Sequence, residues 1–279
     1  MKVIHTRQLL SDTLKALSQK PLKIGFVPTM GALHAGHLHL LEQARAENDI
    51  VVCSIFVNPV QFNNASDLER YPRNLEDDIA LIETICDILF VPSEEEMYPE
   101  PPTEKYNFGT LETVMEGRFR PGHFNGVAVV VKRLFDLVKA DRAYFGKKDF
   151  QQLTIIRQLV KDFGLDIEIR AVDTVREQDG LAMSSRNALL SPEARKIAPF
   201  IRQTLLEATS LTQQKNPQEL SLWIEEIFNN HEAFTLEYFQ LVDAQSLEEI
   251  NTYNQAENSV ACIAVWLDNV RLIDNITIK

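Results

Sequence analysis

The stretch Pro28-Thr29-Met30-Gly31-Ala32-Leu33-His34-Ala35-Gly36-His37 sets two imidazoles three residues apart, between an apolar run and an amphipathic one. A strand that ends in glycines and runs into a helix brings its backbone close to a ligand. The first turn of that helix offers N–H groups and a partial positive charge, which favour phosphate. Two histidines at this place could add donors to phosphate oxygens as charge builds in a transition state. The same residues would also serve as polar loop residues, with the glycines there for the turn alone. Zinc lacks a third ligand at metal spacing, because there is no His-Glu-x-x-His and no cysteine cluster. His39 lies two residues beyond His37, points elsewhere on a helix and reads as a surface residue.

Three further constellations follow apolar runs or lie in polar loops. In Phe56-Val57-Asn58-Pro59-Val60-Gln61-Phe62, two amides flank a proline that stiffens the loop. Amides can orient a hydroxy acid without a charge of their own, although Asn-Pro is also an ordinary turn opener. In Gly146-Lys147-Lys148-Asp149-Phe150-Gln151-Gln152, a glycine–lysine turn before a helix suits phosphate, but the spacing is not that of a P-loop. Asp149 could equally be an N-cap with Gln152 closing a capping box, and caps and ligands can share one helix end. Asp179-Gly180-Leu181-Ala182-Met183-Ser184-Ser185-Arg186-Asn187 offers two hydroxyls and a guanidinium, either a phosphate clamp or a polar linker. Asp77 and Asp78 are adjacent and face different ways on a helix. One could pair with a cation or Mg2+, and a solvated face suits the other.

The elements that must position these groups can be traced by periodicity. Helical spacing is expected at 6–19, 37–47, 75–86, 127–138 and 149–163, and strands at 23–27, 50–57, 88–91, 143–145 and 167–175. The run IVVCSIFV at 50–57 is continuously apolar, the mark of a strand covered on both faces. Strands and helices alternate up to residue 175, which predicts a doubly wound parallel sheet. In such sheets ligands bind beyond the carboxyl ends of strands, where the loops 28–36, 58–65 and 146–149 gather. After Arg176 the pattern changes. Ser191 is a helix N-cap before Pro192, helices are expected at 192–214 and 217–229, and strands at 236–243, 260–267 and 270–278. That order predicts a separate α+β domain with an antiparallel sheet. Pro99, Pro101 and Pro102 lead into 105–124, which reads as a long surface excursion.

The bulk composition limits the function classes. A chain of 279 residues, 45% hydrophobic and 24% charged, can bury a sizeable core in one large or two smaller domains. The net charge of −12 argues against general attraction to DNA, RNA or an anionic membrane. A small polyanion remains within reach of a few local cations and amides. Cys53, Cys86 and Cys262 are odd in number, form no Cys-x-x-Cys pair and lie in apolar stretches, so buried free thiols are expected. The N-terminus lacks the apolar core of a signal peptide, and no apolar run approaches the roughly 20 residues that span a bilayer. A cytoplasmic protein is the expectation.

Six stretches together resemble the pantothenate synthetases, or pantoate–β-alanine ligases, of the nucleotidyltransferase superfamily with its H-x-G-H signature. They are PTMGALHAGH (28–37), FVNPVQF (56–62), YPRNLEDD (71–78), EGRFRPGHFNGV (116–127), FGKKDFQQ (145–152) and DGLAMSSRN (179–187), in that family's order. The resemblance implies a Rossmann-like N-terminal domain over 1–176 and a smaller α+β lid domain over 177–279. It implies ATP-dependent condensation of (R)-pantoate with β-alanine to pantothenate, AMP and pyrophosphate, through pantoyl adenylate, in coenzyme A synthesis. Mg2+ would accompany ATP, with its protein ligands unassigned, and no covalent enzyme intermediate would form. The partners would be these small molecules and a second copy in a homodimer, with no nucleic acid and no membrane.

Residue by residue, the resemblance implies an ATP site of Met30, Gly31, Ala32, Leu33, His34, Ala35, Gly36 and His37, with Gly146, Lys147, Lys148, Asp149, Val175, Met183, Ser184, Ser185 and Arg186. His37 would be the catalytic histidine, with His34 beside the phosphates. Lys148, Ser184, Ser185 and Arg186 would also act on the phosphate side. Gln61 would touch both pantoate and β-alanine, Gln152 pantoate, and Asn58 would help hold the acceptor. Two rivals remain. A nucleotidyltransferase that leaves the nucleotide on its product would need His34 and His37 but not the amides. A silent nucleotide-binding protein would bind ATP without releasing pyrophosphate.

Overall fold

The computed structural model describes residues 1–17 and 21–279. Its apolar runs form β1 (Lys2–Ile4), β2 (Ile24–Thr29), β3 (Ile50–Ile55), β4 (Ile88–Phe90), β5 (Arg142–Gly146) and β6 (Glu168–Val172). Between them lie α1 (Arg7–Leu17), α2 (Ala35–Glu47), α3 (Ala65–Arg70), α4 (Leu75–Ile82), α5 (Glu94–Met97), α6 (Met115–Phe119), α7 (His123–Val138) and α8 (Phe150–Asp162). Every pairing is parallel, in the order β1-β4-β3-β2-β5-β6. The expected parallel α/β sheet is therefore present. The chain runs from β2 outward through β3 and β4, then returns to lay β5 on the other side of β2. The loops after β2 and β5 thus open on the crevice where the winding reverses, the place where parallel sheets bind ligands.

Several elements differ from the sequence expectation. β1 is three residues long with an exposed-to-buried gradient, too short to show a period. Ser18 and Gln19, expected in the first helix, lie outside the described residues. The fourth helix stops at Ile82 rather than residue 86. The stretch 105–124 is not a surface excursion: it holds the 3-10 turn Gly109–Glu112 and α6, and Leu111 and Met115 are buried. α7 opens at His123, four residues before the expected start, after Gly122 in the left-handed region (φ +80°). These pieces are too short for periodicity to reveal them.

Contacts group Met1–Phe108, Phe119–Lys147 and Gln152–Asp173 into one unit, and Gly109–Arg118, Lys148–Gln151 and Thr174–Lys279 into another. The second unit contains α9 (Pro192–Ile197), α10 (Phe200–Leu211) and α11 (Pro217–Asn229), then β7 (Phe234–Asp243), β8 (Ser259–Leu267) and β9 (Val270–Thr277). The single helix expected at 192–214 is two, because Pro199 has no N–H to continue α9 and instead caps α10. The three strands form an antiparallel sheet in sequence order, as expected. Ile201, Leu205, Leu220, Ile224 and Phe228 of its helices share a core with Leu241, Ala261, Ile263 and Val265.

All three cysteines are buried free thiols. Burial pushes the Cys86 thiol up to about 11, and the Cys262 thiol higher still. Among the described residues no helix is long and apolar enough to cross a membrane.

In the first unit, Glu47 ties the end of α2 to the sheet. It accepts from Arg170 of β6 at 2.9 Å, from the Tyr144 hydroxyl of β5 at 2.9 Å and from Gln43 at 2.6 Å. The Arg170 bond, helped by Gln43 and Tyr144, outweighs burial and holds the Glu47 carboxyl down from 4.5 to about 2. A carboxyl depressed in the folded state stabilises above its unfolded value and loses that contribution as pH falls through the folded one. Glu47→Gln should therefore lower the urea midpoint at neutral pH, with the gap from wild type narrowing as pH falls from about 4.5 toward 2. A gap independent of pH would contradict this.

Candidate active site

The backbone after β2 is forced into an unusual path. The Thr29 hydroxyl donates to the Ser54 carbonyl at 2.7 Å and accepts the Gly31 N–H at 3.2 Å. The chain then passes through two left-handed residues, Gly31 (φ +81°) and Ala32 (φ +49°). A side chain at Gly31 would also press on Ile55 at 3.0 Å and on Asp78 at 3.1 Å. For Ala32 the left-handed conformation costs about 1 kcal/mol, and a buried carboxylate offsets it. Asp78 Oδ2 accepts the Ala32 N–H at 3.0 Å, and Oδ1 accepts the Leu33 N–H at 2.6 Å. Asp78 is thus not on the solvated face that its sequence position offered, and both its oxygens are engaged by the loop. It is 3% exposed and serves the loop. Burial raises its carboxyl above the usual range, against the pull of the two N–H bonds. Asp77 stays exposed beside Asn74, the N-cap of α4.

That loop delivers the chain to the start of α2 with both histidines engaged in capping. His34 is the N-cap, and its Nδ1 accepts the Gly36 N–H at 3.1 Å. His37, at N3, reaches back so that its Nδ1 accepts the His34 N–H at 3.3 Å. The arrangement is a capping box in which imidazoles replace the usual hydroxyl and carboxylate. The rings lie 4.2 Å apart at 48°. A neutral imidazole that accepts at Nδ1 carries its proton on Nε2, a tautomer that follows from the bonding partners. In both histidines the Nδ1 bond therefore places the ring proton on Nε2. His39 is a surface residue as expected, 42% exposed in its side chain and 3.5 Å from Glu42.

Beyond β3, the 3-10 turn Pro59–Gln61 places the second group. Asn58 is fully buried and caps this turn. Its Oδ1 accepts from the Tyr98 hydroxyl at 2.7 Å and the Val60 N–H at 3.3 Å. Its Nδ2 donates to the Gly126 carbonyl at 3.0 Å and to Gln61 Oε1 at 3.1 Å. All the hydrogen-bonding positions of the Asn58 amide thus go to protein, and they fix which way the Gln61 amide points. Gln61 Nε2 is 3.0 Å from the Met30 sulfur, on the loop that leads to His34. His123 Nδ1 pairs with the Gln61 carbonyl at 2.8 Å. α7 approaches this turn so closely that a Cβ at Gly126 would stand 2.6 Å from the Val60 carbonyl oxygen and 2.7 Å from Gln61 Cα. Tyr98, His123 and Gly126 carry no signal in the sequence that links them to Gln61.

After β5, the 3-10 turn Lys147–Asp149 runs directly into α8. Helical path is under way from Lys147, so Asp149 is not the N-cap that the capping-box reading required. Lys147 is exposed and pairs with Asp173 at 2.5 Å. Lys148 is half-buried, and its backbone carbonyl accepts from Asn275 Nδ2 at 2.9 Å. Gln152 is half-buried on the first turn of α8. Its neighbour Gln151 is buried, accepting the Glu116 N–H at 2.9 Å and donating to the Leu111 and Val114 carbonyls. In the second unit the Met183 N–H donates to the Val175 carbonyl at 3.0 Å, which brings the next residues back beside their point of departure. Ser184 then caps the 3-10 turn Ser185–Leu189, its hydroxyl accepting the Arg186 N–H at 3.3 Å.

A family model described as pantoate-beta-alanine ligase matches residues 2–277. The chain belongs to the pantoate–β-alanine ligase family. A pantothenate synthetase from Bacteroides fragilis strain YCH46 is 49% identical over 280 residues, covering 100% of this chain and 99% of that protein. One from Porphyromonas gingivalis strain W83 is 47% identical, covering 99% of each. The crystal structure of pantothenate synthetase from Thermus thermophilus superposes with a TM-score of 0.93 at 44% identity, covering 100% of this chain and 99% of that one. The ligase of Francisella tularensis, solved in complex with β,γ-ATP and β-alanine, gives 0.83 at 36% identity, covering 99% and 97%. In this ligase-family chain, the six motifs that carry the resemblance hold the loop after β2, the Gln61 turn, Asp78, Gly126, the Lys148 turn and Ser184.

Two substitutions test the supports of the site. Asp78→Asn places an NH2 group against a backbone N–H. Amide hydrogen exchange at Ala32 and Leu33 should then quicken by about tenfold or more, since an unsatisfied buried donor costs about 1–3 kcal/mol. Unchanged protection would mean that Asp78 does not hold the loop. Gly126→Ala forces a Cβ into the Gln61 turn, and overpacking of this kind costs about 1–3 kcal/mol. Chemical denaturation measures it, and a wild-type midpoint would remove α7 from the support of Gln61.

Proposed function

We propose that this chain condenses (R)-pantoate with β-alanine to pantothenate, with ATP cleaved to AMP and pyrophosphate. In the first step a pantoate carboxylate oxygen attacks the α-phosphorus, the bond from that phosphorus to the bridging oxygen of pyrophosphate breaks, and pantoyl adenylate forms. In the second the β-alanine amine attacks the acyl carbon, the acyl C–O bond breaks, AMP leaves and the amine loses a proton. The observation that carries this reading is the His34–His37 capping box at the crevice beside β2 and β5. It sets two imidazoles in the first turn of a helix directly after β2, where the free N–H groups and partial positive charge of a helix N-terminus favour phosphate.

The remaining roles rest on the resemblance, and the local geometry supports them. Met30, Gly31, Ala32, Leu33, Ala35 and Gly36 would line the nucleotide with the two histidines. A Cβ on Gly146 would meet no protein atom within 4 Å, so close approach of a ligand explains that glycine better than packing does. Lys147, Asp149, Val175 and Met183 would complete the ATP site, with Lys148, Ser184, Ser185 and Arg186 acting on phosphate oxygens. Gln61 and Gln152 would hold pantoate, and Gln61 β-alanine as well. Asn58 would act through Gln61 rather than by touching substrate. No serine or cysteine nucleophile is needed, since catalysis rests on positioning and electrostatic stabilisation.

Among the described residues no group of three or more His, Cys, Asp or Glu side chains could hold a metal ion. Asp78 is committed to two amides and Asp77 to Asn74. Mg2+ would then be held chiefly through the substrate's phosphates, keeping several of its waters. When bound with ATP it would neutralise phosphate charge. A cytoplasmic location rests on the sequence expectation, and a homodimer on the family resemblance alone.

The test is pyrophosphate and AMP release from Mg·ATP, with pantoate and β-alanine present together or omitted singly. Pyrophosphate should need pantoate, and free AMP should need both acids. A nucleotide retained on the product would favour the nucleotidyltransferase reading, and ATP binding without pyrophosphate the silent one. His37→Ala should fold normally yet lose on the order of 100-fold in pyrophosphate release, the usual scale for one transition-state donor. Full activity in that variant would remove His37 from the reaction.

A further inference from the structure

Strand β9 presents two neighbouring polar residues, Asp274 and Asn275, at a place where a strand needs neither. Successive strand residues face opposite sides of the sheet, and each of these two holds a different loop of the second unit. Asp274 is 3% exposed in its side chain and forms a bidentate pair with Arg176, at 2.7 Å to Nη1 and 2.9 Å to Nη2. Arg176 Nη1 also donates to the Gly180 carbonyl at 3.2 Å. Arg176 pairs with Ala182 in an antiparallel bridge, and the Glu177 N–H donates to the Leu181 carbonyl at 2.8 Å. The loop that returns the chain to Met183 and Ser184 is thereby pinned at its base to β9.

On the opposite face, Asn275 Nδ2 donates to the backbone carbonyl of Lys148 at 2.9 Å. Arg271, four residues earlier on the same face, grips Glu116 through both carboxylate oxygens at 2.7 Å each. The segments Gly109–Arg118 and Lys148–Gln151 therefore have fixed points on this side of the sheet. The two faces are joined within one strand, because Asp274 Oδ1 also accepts the Asn275 N–H at 2.8 Å. A continuous line of hydrogen bonds runs from Arg176 through Asp274 and Asn275 to Lys148.

We propose that Asp274 and Asn275 are positioning residues for the adenylation step: β9 sets the separation between Lys148 and the residues 184–186. This rests on the reading above, in which those groups act on the phosphates of ATP. In that reading neither β9 residue would touch the nucleotide, because their bonds go to Arg176 and to the Lys148 carbonyl. A fixed spacing matters because displacing a phosphate donor by about 1 Å from its aligned position costs up to about 100-fold in rate.

Asn275 is the residue to change, since it is neutral and only half-buried, whereas Asp274 is a buried ion. Asn275→Ala removes the donor. Asn275→Asp keeps the size and shape but turns an acceptor toward the Lys148 carbonyl. Three quantities separate the cases: single-turnover pyrophosphate release with pantoate, conversion of pre-formed pantoyl adenylate by β-alanine, and the thermal midpoint. Both variants should lose about tenfold in pyrophosphate release, equivalent to about 1.4 kcal/mol, and raise the KM for ATP. The aminolysis step should stay within about twofold of wild type. Asn275→Asp should be no better than Asn275→Ala. Wild-type rates in Asn275→Asp alone would show that only packing matters, and equal losses in both half-reactions would show general damage; either overturns the proposal, as do unchanged rates in both variants. Failure of the wild-type chain to release pyrophosphate with pantoate would instead refute the functional reading on which it rests.

Discussion

The architecture of the first unit depends on one buried carboxylate. Asp78 accepts the N–H groups of Ala32 and Leu33 on the partly buried loop after β2. An unsatisfied buried donor costs about as much as the left-handed turn itself, so neither would persist alone. Together they let the chain leave β2, reverse through Gly31 and Ala32, and enter α2 at a fixed point. The capping histidines follow from that entry. His34 must be the N-cap, and His37 must stand one turn on with its Nδ1 against the His34 N–H. A backbone path set by one carboxylate thereby fixes two ring orientations and two tautomers.

The second group is held by neutral hydrogen bonds. Tyr98, Val60 and Gly126 saturate Asn58, and Asn58 fixes the direction of the Gln61 amide. An amide so held can discriminate between donor and acceptor on its ligand, which a freely rotating one cannot. In the other unit, charged pairs do the equivalent work at β9. Uncharged contacts thus hold the Gln61 turn, whereas the Arg176–Asp274 ion pair and the Asn275 amide hold the loops beside β9.

Much of this was legible in the sequence because it is local. The parallel sheet was visible in continuous β-branched runs, the antiparallel one in three late strands, and the helix start in glycines and histidines around position 35. What stayed hidden depends on partners far apart in the chain. Asp78 sits on α4 and its acceptor role is spent 45 and 46 residues away, so a helical wheel could only divide it between solvent and a cation. Asn58 read as a ligand residue because an amide after a strand looks available, and only burial shows it occupied. Gly126 reads as a helix interior glycine until the Gln61 turn is laid against it. The segment 105–124 escaped because its helical pieces are shorter than any period that could announce them. Pro199 is the reverse case, a local breaker overlooked inside a long apolar pattern.

The central claim is that a pantoate carboxylate oxygen becomes bonded to the α-phosphorus. Isotopic labelling tests this without reference to any single residue. With pantoate labelled by oxygen-18 in its carboxylate, and with ATP and β-alanine present, the AMP released should carry one labelled oxygen in its phosphate, because the acyl C–O bond breaks when the amine attacks. Unlabelled AMP, with the label found instead in pyrophosphate or inorganic phosphate, would mean that activation occurs at another phosphorus and would contradict an adenylate intermediate.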